Sequence, residues 1–67
     1  MDTYTRDDKR LIVKIINSDL RAGRTAYAII DDSRVRIIRA RVKDNILSGL
    51  VLNSGKWVEL DIFETVD

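Results

Sequence analysis

Cysteine, histidine and proline are all absent from this 67-residue chain. Without cysteine there is no disulfide staple and no thiolate metal site. Without histidine, the common zinc sites and imidazole acid–base chemistry are excluded. Glycine occurs only at positions 23, 49 and 55, and no low-complexity stretch marks a linker. The chain therefore reads as one domain over 1–67, with Met1–Thr5 frayed. Aromatic side chains are scarce: Tyr4, Tyr27, Trp57 and Phe63 are the whole set. No apolar run approaches the roughly 18 residues of a bilayer span. Asp2, Asp7 and Asp8 ahead of Leu11 do not fit a secretory leader, so the expected location is cytoplasmic. A domain this small draws its stability from tight packing, self-association or a bound partner, which brings a homo-oligomer into the expectation.

The most informative feature is the distribution of charge. The net charge is only +1, yet Arg34, Arg36, Arg39, Arg41 and Lys43 fall within eleven residues that contain no acid. The run from Trp57 onward holds Glu59, Asp61, Glu64 and Asp67 and no cation. Such asymmetry points to partners that the near-neutral total conceals.

Short apolar runs separated by Asn, Asp, Ser and Gly divide the rest into β-rich segments. They are Leu11–Ile16, Thr25–Ile30, Arg34–Val42, Ile46–Leu52 and Trp57–Phe63. Spacing of this kind predicts an antiparallel meander, here a mainly β, five-stranded, strongly bent barrel or half-barrel. The first segment also has a helical reading, capped by Thr5, with Asp7 and Asp8 at its positive end and Gly23 ending it beside Arg21 and Arg24. Against the helix stand Asp19 inside the apolar stripe and the β-branched Ile12, Val13, Ile15 and Ile16, which tip the reading toward strand. The alternative is α+β, a helix over about 6–22 followed by a four-stranded meander. Inward residues are expected to be Val13 or Ile12, Ile30, Val35, Ala40, Val42, Ile46, Leu50, Val58, Leu60 and Ile62. In the last segment Val58, Leu60 and Ile62 alternate with Trp57, Glu59, Asp61 and Phe63. Gly49, within a segment apolar on both faces, suggests a bend or a close backbone approach.

Parity carries one further deduction. Arg34 and Arg36 are even, whereas Arg39, Arg41 and Lys43 are odd, so a regular strand would split them between two faces. One extra residue at Ile37-Ile38, a β-bulge, would put all five on one face and leave Val35, Ala40 and Val42 inward; the alternative is a two-faced strand with arginine stems lying over the ends of the barrel. The bend that accompanies a bulge also suits a small barrel.

From Ala26 to Val66 the order of strand, tight turn, long bent basic strand, turn, apolar strand, turn and final strand resembles the Sm-like proteins, including the bacterial RNA chaperone of that family. The resemblance implies ring oligomers that bind single-stranded RNA, and a helical first segment would extend it. Ala40 stands where the family's first motif usually has glycine, and Asp44 and Asn45 are adjacent where the family spaces them. The bacterial second motif contains a histidine that this chain lacks. Only topology is carried over, and no RNA-contact residue.

The expected function is a non-catalytic regulatory binding module. It holds single-stranded RNA or DNA on the face bearing Arg34, Arg36, Arg39, Arg41 and Lys43, since guanidinium groups pair with phosphates and displace their counterions. The competing class is a protein-interaction or inhibitory module that self-associates or docks on an acidic protein surface, with Trp57, Glu59, Asp61 and Phe63 as its interface. No catalytic residue, metal or cofactor is expected. Asp31-Asp32 suits a turn, and Asn53-Ser54-Gly55-Lys56 lacks the spacing of a phosphate loop.

Overall fold

Two dipeptides set the central hairpins. Asp31 and Asp32 have φ of 49° and 63°, and Asp44 and Asn45 have φ of 53° and 63°. Positive φ at both central residues is the signature of the two-residue I′ hairpin, which Asp and Asn tolerate best after glycine. A computed structural model describes residues 8–67 in full and residues 2–5 as backbone. Its elements are β1 (Asp2–Thr5), α1 (Lys9–Arg21), β2 (Thr25–Ile30), β3 (Ser33–Lys43), β4 (Ile46–Val51), β5 (Trp57–Glu59) and β6 (Ile62–Val66). The strands form one antiparallel sheet in the order β1-β6-β2-β3-β4-β5, open at β1 and β5. The architecture is thus mainly β, a bent half-barrel with one helix laid against its inner face.

Leu11–Ile16 is helical, which corrects the strand reading and realises the α+β alternative. Both ends are capped. The Asp8 carboxylate, and not Thr5, accepts the Leu11 N–H at 3.3 Å. Gly23, with φ of 89°, closes a Schellman motif in which the Arg24 N–H donates to Asp19 O and the Gly23 N–H to Leu20 O. The stripe of Ile12 and Ile16, with Val13 and Leu20 beside it, buries itself in the concave sheet. That burial outweighs the few tenths of a kcal/mol per residue by which β-branching disfavours a helix. Asp19, which argued against a helix, has partners there: its Oδ2 accepts from the buried Thr65 hydroxyl at 2.9 Å and lies 3.3 Å from Arg24 Nη1. Asp2–Thr5, expected to be frayed, pair with β6 through the main chain, whose donors and acceptors need no particular side chain. Asp7 lies outside the described residues.

The concave face is made of small residues around one large ring. Ala26, Ala28, Ala40 and Gly49 are buried there with Ile37, Leu47, Leu60 and the fully buried Phe63. A Cβ on Gly49 would lie 3.0 Å from both Ile37 Cγ2 and Phe63 Cε1, so the close approach expected at this glycine is made by two side chains and not by backbone. Three expected inward residues are not inward. Ile46 is exposed, and Leu50 and Ile62 pair in register with Arg39 and Ile29 on the convex face. Leu47 and Gly49 point inward instead. The cause in β6 is a break at Leu60-Asp61: the expected Trp57–Phe63 strand is two strands, and its alternation shifts by one residue across the corner. Phe63 therefore leaves the outward set and becomes the centre of the core.

Candidate nucleic-acid interface

The ladder between β3 and β4 runs Ile37↔Val51 and then Arg39↔Leu50, leaving Ile38 as an extra residue. The bulge thus lies where charge parity placed it. Val35, Ile37, Ala40 and Val42 face the core, while Arg34, Arg36, Arg39, Arg41 and Lys43 share the convex face. At about 3.3 Å per residue the stripe follows roughly 30 Å of chain, comparable to the 29 Å long axis of the protein. Beyond the start of β2, the exposed edge of β3 is closed by α1. Asn17 donates from Nδ2 to Ala40 O at 3.0 Å, and its Oδ1 accepts the Ala40 N–H at 3.1 Å. One side chain stands in for a neighbouring strand, and so ties the helix to the bent half of β3.

The five cations are not equivalent. Arg34 reaches over Tyr27, with its Cζ 5.4 Å from the ring centroid, to pair with the buried Glu64 at 2.5 Å. Arg41 lies on Trp57 at 3.9 Å from the ring centroid, within cation–π range. Arg36, Arg39 and Lys43 are exposed, and no described carboxylate pairs with them. From the sequence, Tyr27 is expected at no site, and Trp57 is expected at the competing protein interface and not beside the basic stripe. They stand on β2 and β5, one and two strands away from the stripe, and come beside it through the register Tyr27↔Arg36 and Leu50↔Trp57. Only strand pairing reveals this; the spacing along the chain carries no such signal.

The alternative interface is divided. Trp57 stacks under Arg41, Glu59 and Asp61 are exposed, and Phe63 is in the core. Glu59 and Asp61 instead join Asp31 and Asp32 around a groove of about 480 Å³ at the β5–β6 corner. Asp31-Asp32 sits in the hairpin turn already described, and among the described residues no group of three or more acids is arranged to hold a metal ion. The end of β4 turns back through Gly55, whose N–H donates to Val51 O at 2.9 Å, so Asn53–Lys56 is a plain connection. Among the described residues, no helix is long and apolar enough to cross a membrane.

No family model, curated protein or solved structure matches the chain.

Proposed function

We propose that the protein is a non-catalytic module that binds single-stranded nucleic acid across its convex sheet face. The observation that carries this reading is the coincidence of the bulged basic stripe with two aromatic rings drawn in from other strands. Single-strand binders combine a cationic track for phosphates with π faces for bases. Tyr27 and Trp57 supply rings that the basic segment alone does not contain, and Arg34 and Arg41, which lie over them, offer planar guanidinium groups on which a base can stack. The likeness to Sm-like proteins supports the same reading, since it joins a helix to a small bent barrel and implies RNA as ligand. A cytoplasmic, regulatory role fits a module of this kind.

Titrating the protein with a fluorescent oligonucleotide at several salt concentrations tests the reading. The logarithm of the binding constant should fall linearly with log salt, with a slope of about −0.7 for each phosphate contact on a single strand. Absence of binding to any oligonucleotide at low salt would remove it.

A second reading is favoured by the acidic groove: self-association, in which Asp31, Asp32, Glu59 and Asp61 of one copy meet the arginines of another. On that reading, sedimentation equilibrium gives an oligomer at low salt that dissociates at high salt. A monomer under both conditions rules it out.

A further inference from the structure

Ile38 is the only residue of β3 that belongs to neither ladder. Its pairing with β2 ends at Ala26↔Ile37, and its pairing with β4 skips from Ile37 to Arg39. Freed from the sheet and 47% exposed, it lies beside Leu20, from the last turn of α1. Two adjoining hollows meet there, both lined by Leu20 and Ile38, of about 410 Å³ and 310 Å³. Arg21 and Arg39 line the first, and Arg36 the second. No carboxylate lines either hollow, and none of these three arginines is ion-paired with a described residue. The other cation at the site, Arg24, is engaged by Asp19 and Asp67.

An apolar floor with guanidinium groups contributed by both α1 and β3, none ion-paired with a described residue, suits a ligand with a flat apolar body between two anionic groups. A nucleotide within a phosphodiester strand has that form. Resting on the function proposed above, we infer that the bulge groove is a nucleotide subsite where the bound strand leaves the sheet face and crosses onto α1. One base lies on Ile38 and Leu20. Arg36 and Arg39 hold the phosphate on the sheet side, and Arg21 the phosphate on the helix side. The floor is aliphatic, so the contact accepts any base, and its contribution is burial of the ring face. Arg21 becomes a binding residue although it lies outside the basic strand, and the bulge acquires a second use beyond aligning charges.

Two substitutions in the full chain separate the phosphate contact from the base contact, using a single-stranded oligonucleotide of about 8 nucleotides, within the usual range for small barrels. Arg21→Ala should weaken binding about fivefold and reduce the log-salt slope by about 0.7. Ile38→Ser, which leaves charge unchanged, should weaken binding about threefold with the same slope as wild type. Arg10→Ala, which removes another exposed cation toward the far end of the same helix, should stay within about twofold, as a control for overall charge. The inference is overturned if Arg21→Ala behaves like Arg10→Ala, or if Ile38→Ser binds like wild type, while substitutions at Arg36 and Arg39 still weaken binding. It is also overturned if a poly-glutamate peptide of equal charge displaces the oligonucleotide as well as unlabelled oligonucleotide does, because the groove would then be reading charge alone. A wild-type protein that binds no oligonucleotide would instead remove the function on which the inference rests.

Discussion

Replacing Phe63 by alanine should lower the unfolding free energy by about 3–5 kcal/mol, the usual cost of removing a buried aromatic ring. A 67-residue domain is expected to have only about 3–10 kcal/mol in total, at roughly 0.05–0.15 kcal/mol per residue. The loss is therefore a large fraction of the total, and the variant should unfold at a much lower urea concentration than the wild type. The ring is fully buried, and the space it occupies depends on Gly49 having no side chain and on Ala28 lying opposite it in the ladder. These small residues cannot close over the cavity, which places the loss toward the upper end of the range. Urea denaturation followed by far-UV circular dichroism measures the effect. A loss below about 1 kcal/mol would mean that Phe63 lies on the surface, where substitutions cost at most about 0.5 kcal/mol, and that one strand runs unbroken through Leu60-Asp61.

The double charge reversal Arg36→Glu with Arg39→Glu should reduce affinity for a single-stranded oligonucleotide by about 100-fold at low salt. This corresponds to roughly one tenfold step, or about 1.4 kcal/mol, for each of the two phosphate interactions removed. The log-salt slope should become shallower by about 1.4, twice the single-strand increment. These two positions are chosen because both are exposed and neither is ion-paired with a described residue. The fold should tolerate the change to within about 0.5 kcal/mol for each substitution. Arg34→Gln together with Glu64→Gln should behave in the opposite way. The ion pair is neutral as a whole and so is its replacement, so binding falls less than at Arg36 and Arg39, whereas Arg34→Glu alone should cost stability because two carboxylates then meet at a site where one is buried. Equal weakening of binding at Arg34 and Arg39 would contradict the unequal roles assigned to the stripe.

Much of the site was legible along the chain because its signals are local. The change of parity between Arg36 and Arg39 located the bulge to within a residue, since a period of two leaves no other way to gather the charges on one face. The Asp and Asn dipeptides marked both central hairpins through their tolerance of positive φ. Gly23 marked the end of α1 for the same reason. What was not legible depended on distant partners. Tyr27 and Trp57 reach the stripe through strand pairing, and Arg21 reaches the bulge through the packing of α1 on β3. In β4, apolar residues on both faces left no pattern to say which face was buried. The answer came from Phe63, whose ring needs the space above Gly49.

Local sequence carried the turns, the mainly β character and the segregation of charge, and favoured the bulge over a two-faced strand. Each rests on backbone sterics or on the two-residue period of a strand. Tertiary structure alone decided that Leu11–Ile16 is a helix, that Trp57–Phe63 breaks at a corner, and which cations stay unpaired. In each case burial against residues far away in sequence outweighs a local preference of a few tenths of a kcal/mol. Asp19 illustrates the difference: alone it argues against a helix, and beside Thr65 and Arg24 it fastens that helix to the sheet.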